Sequence, residues 1–69
     1  MLPGDQMKTT HRARVVGTDI AWPATEYMLR RALLDAFKLR AEVKEDGGNV
    51  SIVYRDGIRV DYQPVTEGE

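Results

Sequence analysis

Apolar positions along this chain follow two different periods. From Ala24 to Leu39 they recur every three or four residues, and from Ala41 to Tyr62 they alternate with polar ones. In the first stretch Met28, Leu29, Ala32, Leu33, Ala36, Phe37 and Leu39 gather on one broad side of a wheel turned by about 100° per residue. The stretch contains no glycine and is rich in helix formers, so it predicts an amphipathic helix of about four turns. Pro23 suits the first turn, where its missing N–H is no loss, and Glu26 complements the positive end of the helix dipole. The apolar side is expected to face the core.

The alternating stretch predicts a three-stranded meander whose register can be argued. Gly47-Gly48 is a favoured two-residue hairpin loop because both positions can take positive φ. Closing there sets Glu45 opposite Val50, Val43 opposite Ile52 and Ala41 opposite Tyr54, with Lys44 opposite Ser51 and Glu42 opposite Val53 on the other face. At the next turn a two-residue Asp56-Gly57 loop would set Ile52 against Asp61 and Tyr54 against Arg59, mixing polar and apolar faces. A three-residue loop, Arg55-Asp56-Gly57 with Gly57 left-handed, instead pairs Tyr54 with Ile58, Ile52 with Val60 and Val50 with Tyr62. The expected inner face is Val43, Val50, Ile52, Tyr54, Ile58, Val60 and Tyr62. The expected outer face is Glu42, Lys44, Ser51, Val53, Arg55, Arg59 and Asp61.

Ahead of the helix, His11 to Val16 has the β-branched content of a short strand, with Arg12 and Arg14 on one side and Ala13 and Val15 on the other. Gly17-Thr18-Asp19 breaks it. Ile20-Ala21-Trp22 is a further extended piece, since a residue before proline avoids the helical region. The expected fold class is α+β: one amphipathic helix packed on a three- to four-stranded, mainly antiparallel sheet, in the order β-α-β-β-β. The first strand either runs parallel to the strand after the helix, through a right-handed crossover, or flanks the last strand. Pro64 ends the final strand, and residues 1–10 and 64–69 are expected to be flexible.

Length narrows the options further. A chain of 69 residues has room for one small domain, and such a domain buries only about 60% of the surface that its unfolded form exposes. Cysteine is absent, which removes disulfides and thiolate metal sites and leaves good packing or self-association to support a thin core. An uncovered sheet edge gives a second route to a homodimer. No apolar run approaches the roughly 20 residues that span a bilayer, and the start lacks a signal-peptide core, so a cytoplasmic protein with no membrane contact is expected.

The net charge of −1 argues against a general polyanion binder. The charge is unevenly spread, however. The helical stretch is positive, with Arg30, Arg31, Lys38 and Arg40 against Glu26 and Asp35, whereas acids outnumber bases from Ala41 onward. Such polarity can orient a partner or a second copy of the chain.

Catalytic and cofactor chemistry finds little footing. His11 is the only histidine; it has no carboxylate neighbour in sequence and reads as a surface imidazole. One histidine without cysteine makes no zinc site, and Glu42, Glu45 and Asp46 lack the spacing of a calcium loop. Gly47-Gly48 stands between strands and is followed by no Gly-Lys-Ser/Thr, so it is not a phosphate loop. Trp22 could stack on a base or enter a partner's pocket, but it more simply caps the end of a small core. No catalytic residue, metal or cofactor is expected.

Two binding surfaces stand out instead. Tyr27 and Leu34, seven residues apart, share the polar side of the helix with Arg30, Arg31 and Lys38. This is either a solvated face with two stray apolar residues or a protein contact, and its composition is the one enriched where proteins meet. On that reading the chain is a small non-enzymatic protein-binding module, an adaptor or an inhibitor that occludes its target. Free-standing proteins of this size without a catalytic site are common among phages and mobile elements. The strand-helix-three-strand order resembles that of some small phage anti-defence proteins, anti-CRISPR inhibitors included. The alternative is a nucleic-acid-binding regulator that uses the outer sheet face, with Lys44, Arg55 and Arg59 helped by Arg12 and Arg14. Glu42 and Asp61 on that face would repel phosphates.

Overall fold

A computed structural model describes residues 8–65 of the chain. Its elements are β1 (Thr9–Val15), β2 (Ala21–Thr25), α1 (Glu26–Lys38), β3 (Glu42–Asp46), β4 (Asn49–Val53) and β5 (Arg59–Pro64). The strands form one sheet in the order β2-β1-β5-β4-β3, and every neighbouring pair is antiparallel. Four antiparallel steps leave β2 and β3 at opposite edges pointing the same way. Because α1 begins where β2 ends and leads into β3, it must cross the whole sheet.

The α+β class holds, with five strands where three to four were expected. The additional strand is β2, and it takes Pro23, which the helical pattern had placed in the first turn of α1. Proline cannot donate to a ladder and is confined to sheet edges, and β2 is an edge strand. Helix initiation passes to Thr25, which is extended (φ −88°, ψ 168°) and whose Oγ1 accepts from the Met28 N–H at 3.2 Å. A threonine cap satisfies one of the orphan donors of the first turn, so the helix starts at Glu26.

The first strand flanks the last one: Ala13 lies opposite Tyr62 and Val15 opposite Val60. It begins at Thr9, so Thr9 and Thr10, expected in a flexible leader, belong to the sheet. Pro64, expected in a flexible tail, is the last residue of β5 opposite His11, and Val65 N–H donates to Thr10 O at 3.0 Å. Of the expected flexible ends, residues 1–7 and 66–69 lie outside the described residues.

Both hairpins adopt the argued registers. Val43 faces Ile52 and Lys44 faces Ser51, around Gly47 and Gly48 at φ +58° and +90°. Ile52 faces Val60 and Val50 faces Tyr62. The three-residue loop is closed by Tyr54 N–H to Ile58 O at 2.8 Å and by Gly57 N–H to Tyr54 O at 2.9 Å. Gly57 has φ +95°, the left-handed conformation that this loop demands.

The core comprises Ala13, Ala24, Leu29, Ala36, Val50, Ile52, Val60 and Tyr62, with Trp22, Ala32, Leu33 and Tyr54 packed against it. Three of the fully enclosed residues are alanines, Ala13, Ala24 and Ala36, small enough to let helix and sheet approach closely. The buried helical stripe is therefore narrower than the sequence implied. Met28, Phe37 and Leu39, expected inside, are 40%, 80% and 58% exposed. Met28 and Phe37 fall on the flanks of the stripe. Leu39 is past the helix, at its C-cap with φ −89° and ψ 0°. Val43 and Ile58 occupy the inner sheet face but are also about half exposed, since one lies on the edge strand and the other in a turn.

The end of α1 is a Schellman motif. Ala41 N–H donates to Ala36 O at 2.8 Å and Arg40 N–H to Phe37 O at 3.2 Å, with Arg40 in the left-handed region at φ +59°. These bonds satisfy helical carbonyls that would otherwise be orphaned, and they aim the chain directly into β3.

Candidate protein-binding face

Because the sheet covers one side of α1, the opposite side is open. Tyr27 and Leu34 are 47% and 50% exposed, and Arg30, Arg31 and Lys38 are exposed beside them. All five residues proposed from the wheel thus share the outward face. Their arrangement is partly fixed. Arg31 Nη1 donates to the Tyr27 hydroxyl at 2.9 Å, and the guanidinium carbon lies 5.8 Å from the ring centroid. Arg30 pairs with Glu26 at 2.8 Å. Lys38, in the last turn, complements the negative end of the helix dipole.

The second surface is the uncovered face of the sheet. Register aligns Arg14, Asp61, Ser51 and Lys44 in one row across four strands. Arg59 sits on the same face, its Nε 3.2 Å from Asp61 Oδ1, and Arg12 alternates with Ala13 on that side of β1. Arg55 does not join them. It lies beyond the end of β4, beside Leu39, Tyr54, Asp56 and Ile58 around a shallow hollow at the foot of the helix. The face carries acids as well: a depression of about 310 Å³ is lined by Lys44, Asp46, Asn49, Ser51, Arg59, Asp61 and Gln63.

Trp22 is half-buried against the core and also lines a depression of about 260 Å³ with His11, Arg12 and Pro23. His11 is half-buried in β1 with Nδ1 2.9 Å from Thr10 Oγ1. Among the described residues no three His, Asp or Glu side chains gather as a metal would require. No described helix is long and apolar enough to cross a membrane.

Two features escaped the sequence reading. Phe37 is the most exposed large apolar side chain among the described residues; its position on the wheel, between the core stripe and Arg30, was the available signal. The phenols of Tyr54 and Tyr62 are both pushed above the usual tyrosine range, chiefly by burial. For Tyr54 the carboxylates of Asp35 and then Asp56 add to the effect, and for Tyr62 its neighbour Tyr54 does so. No family model matches the chain, and comparison with curated proteins and with solved structures finds no match either.

Proposed function

We propose that this protein is a non-enzymatic protein-binding module, acting as an adaptor or inhibitor through the outward face of α1. The observation that carries the reading is the open side of the helix. It presents an aromatic residue and a leucine, each about half exposed, and the aromatic ring is held by an arginine. Tyrosine and arginine are the types that concentrate binding energy at protein interfaces, and a ring already fixed by its neighbour loses less freedom on docking. Occlusion of a target surface follows directly, and an anti-defence role against a host protein is one setting in which such a module would serve. Capture of partners on the immobilised chain, after nuclease treatment, tests the proposal. A specific partner should be retained by wild type and by Arg59→Ser, and lost with Leu34→Glu. Retention by Leu34→Glu would refute it.

A second reading, nucleic-acid binding by the outer sheet face, is favoured by one observation: Arg12, Arg14, Lys44 and Arg59 come together there. Asp61 already occupies Arg59, and Glu42 and Asp46 flank Lys44 on β3, so the field for phosphate is weakened. On this reading binding would fall steeply with salt and with Arg14→Ser or Arg59→Ser.

A further inference from the structure

The sheet has two edges of different character. Strand β2 carries Pro23, which cannot donate and so resists strand addition. Strand β3 has no proline, all five of its residues are exposed, and among the described residues only β4 pairs with it. In a two-residue hairpin the closing pair, here Asp46 with Asn49, is hydrogen-bonded, and bonded and non-bonded pairs then alternate. Lys44 and Glu42 therefore bond inward to β4, whereas the N–H and C=O of Val43 and Glu45 point off the open edge.

We propose that two copies of the chain join antiparallel through β3, about a two-fold axis at Val43, so that one sheet runs through the dimer. Charge selects this register among those the edge permits. An axis at Lys44 would oppose Lys44 to itself and Glu42 to Asp46. An axis at Glu45 would set Lys44 against Asp46 twice, but it would oppose Glu45 to itself and leave Val43 facing Gly47 of the turn. Only the axis at Val43 sets apolar against apolar and places Glu42 opposite the second copy's Lys44, twice, on the outer face. Opposite charges across strands stabilise a pair and like charges weaken it. Each Val43 N–H then donates to the second copy's Val43 C=O.

The inner face supplies the apolar contact. Val43, 45% exposed, shares its sheet face with buried Ile52. Phe37, 80% exposed, sits in the last turn of the helix that runs straight into β3. A two-fold axis perpendicular to the sheet keeps both helices on one side, the side that carries the Val43 pair. Tyr27 and Leu34 stay free on both helix backs, which makes the dimer bivalent; its existence does not depend on the reading of that face.

Sedimentation over a concentration series tests the inference. Wild type should pass from the 7.8 kDa monomer to twice that mass as concentration rises. Glu42→Lys and Lys44→Glu should each weaken the dimer by about tenfold or more, because each turns two attractive pairs into two repulsive ones. The double exchange, Glu42→Lys with Lys44→Glu, should restore it. Leu34→Glu should leave it unchanged, which separates this contact from the partner-binding face. Circular dichroism verifies that each variant remains folded. A monomer at all concentrations would overturn the proposal, as would single variants that dimerise like wild type or a double exchange no better than the singles.

Discussion

Arg31 reaches back one helical turn to Tyr27, donating to its hydroxyl at 2.9 Å while its guanidinium lies over the ring. The contact is between exposed groups, so its effect on folding is small, about 0.5–1 kcal/mol. Its consequence lies in presentation, since it holds an aromatic ring and a cation together on the open side of the helix.

Stability and binding should therefore separate at this pair. Arg31→Ala and Tyr27→Ala are expected to lower stability by no more than about 1 kcal/mol and to weaken partner binding by about tenfold or more. Urea denaturation followed by circular dichroism gives the first quantity. Titration against the captured partner gives the second.

The reverse separation is expected at Ile52, which is fully enclosed between helix and sheet. Ile52→Ala should cost about 2–5 kcal/mol, comparable with the whole stability of so small a core, about 3–5 kcal/mol. The variant should be largely unfolded at room temperature by circular dichroism. A loss below 1 kcal/mol would mean that the core is centred elsewhere.

Arg40 offers a stabilising change. A side chain at φ +59° strains the backbone, and glycine at this position of a Schellman motif removes the strain. Arg40→Gly should raise stability by about 0.5–1 kcal/mol, the relief of strain being partly offset by the added freedom of the unfolded chain. A shift of the thermal midpoint upward checks it.

The two shifted phenols give the pH dependence its sign. Each binds its proton more tightly in the folded chain than in the unfolded one, where the value is near 10.0. The stability they contribute is fully present below that pH and is lost as pH rises through the higher folded values. Denaturation midpoints should hold steady on the neutral side and decline in strong alkali, and Tyr62→Phe should flatten the decline. A midpoint for that variant falling as steeply as wild type would assign the loss to other groups.

The meander was legible in the sequence because two independent signals agreed. Glycine positions fixed the loop lengths, and the alternation of Val50, Ile52, Val60 and Tyr62 allowed a single register that kept one face apolar. The strand before the helix was harder to see. A five-residue segment with proline at its centre reads as a helix start unless its place at a sheet edge is known, and that place is a property of the whole topology. The helix itself was found, but its wheel could not reveal how much of it the sheet would cover. Alanines at 32 and 36 draw the helix close over a narrow strip and leave Phe37 on the flank. The outward position of Tyr27 and Leu34 followed from periodicity alone, whereas the gathering of Arg12 and Arg14 with Arg59 needed β1 to lie beside β5.

Hydroxyl-radical footprinting of the chain, free and in its captured complex, locates the binding surface. Tyr27 and Leu34 should become protected from oxidation while Val53, on the outer sheet face, reacts as before. Protection of Val53 with Tyr27 and Leu34 unchanged would contradict this placement and move the binding surface to the open face of the sheet.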